Sequence, residues 1–225
     1  MKNNQKGRKN VRKIKRRTVE EDIKFILNQD TPDGIKKEYR NAARNLIKLM
    51  KRHKRNSIVI TSCNSGEGKS LCCANLAAAL AGLGKTVLIV DGNIRKPYIH
   101  SLFGLPNERG LTSVLREDNF PASTVRDGIY AITSGPSIDN IPEHLGGVHM
   151  ERFINSSETW YDYILIDMPD IKKDEVLTMN KFVAGILLVI RENYTRHDEV
   201  IQSLKRIKGS GGVLIGFLKS CCTKE

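Results

Sequence analysis

Residues 57–70 constrain this 225-residue chain more than any other stretch. Ser57-Ile58-Val59-Ile60-Thr61-Ser62 is a short β-branched run with the composition of a buried strand. It passes into Cys63-Asn64-Ser65-Gly66-Glu67-Gly68-Lys69-Ser70 and then into a helical pattern over about 69–83. Gly66 and Gly68 let the backbone curl so that successive N–H groups converge, and the helix that follows adds its positive N-terminus. Strand, curled glycine loop and helix in that order make a phosphate cradle with the form of a P-loop. Ser65, Gly66, Glu67, Gly68, Lys69, Ser70 and Leu71 are therefore the expected nucleotide-binding residues. Lys69 should reach the β- and γ-phosphates and the Ser70 hydroxyl should ligate Mg2+. The strict G-x-x-x-x-G-K-S spacing has Gly at its first position, where Cys63 stands.

Further apolar runs predict strands at 86–91, 128–133, 163–167, 184–191 and 213–218. Helical patterns fall at 35–52, 98–116 (broken), 142–159, 172–181 and 195–208, with a short helix at 18–28 and a turn at 31–34. Strands alternating with helices predict an α/β fold, a doubly wound and mostly parallel sheet. The runs Ile164-Leu165-Ile166 and Ile186-Leu187-Leu188-Val189-Ile190 fit burial on both faces. Asp91 and Asp167 each close a strand. In an open parallel sheet, ligands bind beyond the carboxyl ends of the strands. Two carboxylates there can hold Mg2+ or its water, or accept a proton from a nucleophile.

Charge divides the chain. The whole carries 37 Lys+Arg against 25 Asp+Glu, a formal net charge of +12. Residues 1–17 hold nine basic side chains and no acid, and residues 1–55 hold 19 against six. Residues 56–225 hold 18 against 19, so the P-loop part is neutral on average. This predicts a disordered basic arm at 1–17, a helical extension at 18–55 and a P-loop domain at 56–225. The arm reads as a solvated tail, or as a segment drawn to anionic inner-leaflet lipid, at about 1 kcal/mol per cation near the surface. Nucleic acid is disfavoured, because no aromatic residue lies in 1–17 to stack on bases. No run of about 18 apolar residues exists to cross a bilayer, and the basic N-terminus lacks the apolar core of a secretory signal. The five cysteines form no C-x-x-C and show no zinc spacing. Cys63 lies near a helix N-terminus, which lowers a thiol pKa, so it reads as either a filler or a redox switch. The five histidines are scattered, and Trp160, Tyr161 and Tyr163 read as packing at the sheet edge.

The motifs together resemble the bacterial tyrosine kinases of capsule and exopolysaccharide synthesis, in their cytoplasmic form, within the MinD/ParA-like P-loop ATPases. The likeness covers about residues 35–219. Besides the P-loop it rests on Ala74-Asn75-Leu76-Ala77, similar to the family's A-N-L-A. It rests also on Leu88-Ile89-Val90-Asp91-Gly92-Asn93-Ile94-Arg95, matching an apolar triplet followed by D-x-D-x-R. Ser134-Gly135, Asn140-Ile141-Pro142-Glu143-His144-Leu145 and Ile164-Leu165-Ile166-Asp167 follow in family order. The resemblance implies ATP and Mg2+ as cofactors, with Lys69, Asp91 and Arg95 as catalytic residues. Asp91 would accept the tyrosine proton, Arg95 would stabilise developing charge, and Ser70, Asp91 and Asp167 would hold the metal. It also implies a cytoplasmic protein partnered by a membrane polysaccharide chain-length modulator, whose cytoplasmic tail activates the kinase, and it implies homo-oligomerisation.

Four features depart from the family. Asn93 replaces the second Asp of D-x-D-x-R. No tyrosine follows Tyr194, so tail autophosphorylation of the family's kind is not expected. Lys37, Arg40 and Ala43 stand at the E-x-x-R-x-x-R of the oligomerisation helix, and the strand expected near the adenine leads to Lys219-Ser220 rather than to an Asn. Asn64 occupies the position of the extra lysine of MinD/ParA proteins, which favours the kinase branch. The expected function is thus that of a divergent, weak protein tyrosine kinase. The alternatives are a catalytically impaired pseudo-kinase regulator and a MinD/ParA-type ATPase switch.

Overall fold

A computed structural model describes residues 26–28, 30–117 and 122–220. The basic arm, nearly all of the expected helix at 18–28, Cys221 and Cys222 lie outside the described residues.

The elements run α1 (Asp33–Met50), β1 (Ser57–Ser62), α2 (Lys69–Ala81), β2 (Val87–Asp91), α3 (Ile99–Phe103) and α4 (Leu111–Glu117). Then come β3 (Ser123–Arg126), β4 (Ile129–Ile132), α5 (Ile141–Leu145), α6 (Val148–Trp160) and β5 (Tyr163–Asp167). The chain ends with α7 (Asp174–Thr178), a 3-10 turn (Met179–Lys181), β6 (Gly185–Arg191), α8 (His197–Gly209) and β7 (Leu214–Ser220). One seven-stranded sheet has the order β3-β4-β2-β5-β1-β6-β7. All neighbours are parallel except β3 and β4.

β1, β2 and β5 are buried at every position, as strands covered by helices on both faces must be. On one face Ala43, Leu46 and Met50 of α1 pack with Cys72, Leu76 and Leu80 of α2 against Ile58, Ile60, Ile89 and Leu165. On the other face Leu111, Leu145, Phe153, Val176 and Ile207, from five helices, pack against Val59, Leu88, Val90 and Ile166. The fold is the doubly wound α/β architecture expected from the sequence.

Four local expectations need correction. The 31–34 turn is cut short because α1 already starts at Asp33, directly after Pro32, whose fixed φ suits a helix entrance. The expected 142–159 helix is two helices, separated by Gly146 and Gly147. The antiparallel edge strand β3 was not expected, because its four residues alternate between half-buried and exposed and lack an apolar run. Trp160 is no packing residue at all: it stands 78% exposed at the last turn of α6. Its neighbours do pack, Tyr163 in the core and Tyr161 ring to ring with Tyr130 at 5.2 Å.

Candidate nucleotide site

β1 delivers the chain to the carboxyl end of the sheet, where it curls before entering α2. Gly66 and Gly68 both adopt φ +83°, the left-handed region that L side chains avoid. Ser65 and Gly66 face solvent, while Lys69 is buried at the foot of α2 and Ser70 is half-buried beside it. No side chain caps the amino end of α2, so its first N–H groups remain available to an anion. Leu71 turns its side chain into a small apolar cluster with Ile26, Ala74 and Leu102, leaving only its backbone for the cradle.

Two side chains behave differently from a simple cradle. Glu67 is fully buried and points away from the mouth. Its carboxylate accepts from the Asn64 backbone N–H (3.1 Å), the Asn64 Nδ2 (3.1 Å) and the Thr195 hydroxyl (2.7 Å). Arg191 Nη1 donates to the Gly66 carbonyl at 3.0 Å. The loop after β6 thus braces the P-loop from behind. Lys172, in the loop after β5, donates to Asn64 Oδ1 at 2.6 Å. Cys63 is fully buried beneath the loop, and burial raises its thiol pKa rather than lowering it. It fills space there as a protonated thiol.

Parallel pairing of β2 with β5 sets Asp91 opposite Asp167 in register. Both carboxyls are fully buried. Asp91 accepts three backbone N–H groups: Asn93 on Oδ1 at 3.2 Å, and Tyr98 and Ile99 on Oδ2 at 2.9 and 3.0 Å. These bonds favour ionisation, but burial and the facing Asp167 outweigh them and push the Asp91 pKa up to about 7. Burial likewise lifts Asp167 to about 6, opposed by the Lys69 ammonium and by the Ser70 hydroxyl, which donates to Oδ2 at 2.5 Å. Asp167 Oδ1 is buried with no hydrogen-bond partner. A hydroxyl, a carboxylate with an orphaned oxygen and a second carboxylate alongside fit a hard divalent cation. Among the described residues no group of three His, Cys, Asp or Glu gathers to cage a metal. Ser70, Asp167 and Asp91 therefore suit Mg2+ that also takes phosphate oxygens and water as ligands.

Arg95 lies apart from this expectation. Its Nε donates to Glu175 Oε1 of α7 at 3.0 Å, with Glu175 itself buried. Asn93 contributes its backbone N–H to Asp91. At the oligomerisation positions Ala43 is buried against α2, while Lys37 and Arg40 are exposed on α1. Ser220, at the end of β7, would meet a Cβ placed on Gly68 at 3.0 Å, so the strand end expected near the base does lie against the P-loop. Sequence reasoning missed Glu175, Arg191, Thr195 and Lys172, none of which belongs to a local pattern.

Comparison with known proteins identifies the family. Residues 53–217 match the ParA family model, described as NUBPL iron-transfer P-loop NTPase. Tyrosine-protein kinase YwqD of Bacillus subtilis is 30% identical over 86% of this chain and 84% of its own. Putative tyrosine-protein kinase CapB of Staphylococcus aureus is 28% identical over 86% and 88%. The crystal structure of the chimerical protein CapA2B2 superposes with a TM-score of 0.76, at 31% identity over 81% of this chain and 83% of that one. The chain belongs to the bacterial tyrosine kinases within the ParA-like P-loop NTPases.

Proposed function

We propose that this protein is an ATP- and Mg2+-dependent protein tyrosine kinase that regulates capsular or exopolysaccharide synthesis. The observation that carries the reading is the buried Ser70–Asp167–Asp91 constellation at the head of the P-loop. Phosphoryl transfer needs little covalent help from a protein; it needs positioning and neutralised charge. The N–H groups of residues 66–71 and Lys69 hold the triphosphate. Ser70 and Asp167 would hold Mg2+, which when bound would supply positive charge to offset that of the phosphates. Asp91 has a pKa pushed up to about 7, close to the operating pH of a general base, and accepts the tyrosine proton. Arg95 reaches the transferring group once it leaves Glu175. The partner is a membrane chain-length modulator acting through its cytoplasmic tail, and copies of the kinase associate with one another. The basic arm at 1–17 draws the protein to the anionic cytoplasmic leaflet.

A second reading, an ATP-binding regulator without turnover, is favoured by Asn93 and by the Arg95–Glu175 pair. One assay separates the two. Full-length protein with ATP and Mg2+, with and without the modulator tail, is probed for phosphotyrosine. The kinase reading expects a signal lost in Lys69→Met and in Asp91→Asn. ATP binding without any phosphotyrosine, tail present, would establish the silent regulator instead.

A further inference from the structure

The opposite end of the sheet carries a second feature, unconnected with the nucleotide. Trp160 closes α6 immediately before the chain turns into β5, so it stands at the amino ends of the strands, the end opposite the P-loop. It is the chain's single tryptophan and its most exposed large apolar side chain among the described residues. Residues 51–55, Lys-Arg-His-Lys-Arg, lead from α1 into β1 at the same end. Arg55 fastens this run to the last turns of α6, bonding Asn155 Oδ1 at 3.0 Å and Glu158 Oε2 at 3.3 Å. Asn56 continues the seam, donating to the carbonyls of Glu158 (3.2 Å) and Tyr161 (2.8 Å) on either side of Trp160.

The charge at this end is lopsided. Lys51, Arg52 and Lys54 are exposed and make no ion pair among the described residues, and exposed Lys208 lies in the last turn of α8 at the same end. Among the described carboxylates at this end, Glu158 is paired with Arg55 and Asp162 with Lys85. Val213, 49% exposed, directly precedes β7 on the same rim, about 14 Å from β5 at three strand spacings. An exposed indole on the same rim as exposed cations is the chemistry of the bilayer interface. Trp rings settle at the headgroup level, and Lys and Arg are drawn to anionic lipid.

We propose that this face, centred on Trp160 with Lys51, Arg52 and Lys54, docks directly on an anionic bilayer surface. The docked protein holds the carboxyl ends of its strands, and so the P-loop, facing away from the membrane into water. This contact is distinct from any made by the arm at 1–17, and it does not depend on kinase turnover.

The single indole makes the test direct. Trp160 fluorescence of the full-length protein is followed as vesicles of mixed phosphatidylglycerol and phosphatidylcholine are added. The proposal expects a blue shift, quenching by brominated acyl chains, and no response to pure phosphatidylcholine. Trp160→Ala should weaken sedimentation with the anionic vesicles. Lys51→Gln/Arg52→Gln/Lys54→Gln should raise the lipid needed for half-maximal shift by up to about a hundredfold, at about fivefold per cation. Co-sedimentation without any indole shift would assign binding to the arm alone and overturn the proposal. A shift produced by raising protein concentration without lipid, or by duplex DNA and not by vesicles, would overturn it equally, in favour of self-association or nucleic acid.

Discussion

Removing the Asp167 charge should stabilise the protein without nucleotide and abolish its stabilisation by nucleotide. In the free protein Asp91 and Asp167 face each other, both buried, with one orphaned oxygen on Asp167. A carboxyl whose pKa is higher in the fold than in the unfolded chain keeps its proton longer when folded. Its contribution favours the fold at low pH and is lost as pH rises through the folded value. For this pair the loss runs from near 3.8, the ordinary value, to about 6 for Asp167 and about 7 for Asp91. At about 1.4 kcal/mol per pH unit, Asp167 alone costs the fold about 3 kcal/mol at pH 8. Asp167→Asn removes that cost, keeps an oxygen to accept the Ser70 hydroxyl, and lowers the Asp91 pKa by deleting its charged neighbour.

The assay is urea unfolding of wild type and Asp167→Asn at pH 4 and pH 8, with and without ATP and Mg2+. Without nucleotide the variant should be more stable by about 2–3 kcal/mol at pH 8, and nearly equal to wild type at pH 4, where both carboxyls are protonated. With ATP and Mg2+ the order should invert, because only wild type gains binding energy from the metal. Lower stability of the nucleotide-free variant at pH 8 would refute the reasoning. It would mean that Lys69 and Ser70 stabilise the ionised carboxylate by more than its burial costs.

Three further outcomes follow from the site. Glu67→Ala strands the Asn64 N–H and the Thr195 hydroxyl, and should lower ATP affinity about tenfold by calorimetry, whereas Glu67→Gln, which keeps an acceptor, should lose less. Arg95→Ala should cut phosphotransfer about ten- to hundredfold, with ATP affinity nearly unchanged, and should destabilise the fold by leaving buried Glu175 without its cation. Adding Glu175→Gln should restore its melting temperature without restoring its rate; recovery of the rate would assign Arg95 a purely structural part. Gly92→Ala would set a Cβ into Met168 Sδ and 3.2 Å from the Asp167 carbonyl. It should cost about 1–3 kcal/mol in unfolding measurements and weaken the Mg2+-dependent gain on adding ATP.

What could be read from the sequence and what could not divide along the distance that each interaction spans. The buried strands announce themselves as unbroken apolar runs, because a strand covered on both faces has no polar side to show. β3 shows no such run, since an antiparallel edge strand of four half-exposed residues needs only its partner β4. Trp160 was misread because it precedes a buried strand by two residues, and proximity in sequence says nothing about which way the last turn of a helix faces. The proposed phosphate cradle is equally local: residues 65–71 would serve it through consecutive backbone N–H groups, which a short stretch of sequence specifies. The groups that tune it are remote. Glu175 lies 80 residues from Arg95, and Thr195 lies 128 from Glu67. No periodicity links such pairs; only the parallel pairing of β2 with β5 and of β1 with β6 brings their loops to one end of the sheet. The proposed cradle is therefore local in sequence, whereas the contacts that brace it are ones that only the fold creates. Asn93 lies on the boundary between the two. Its backbone N–H serves Asp91 whatever its side chain, so the loss of a carboxylate there leaves the architecture intact and is felt only when metal and phosphate arrive.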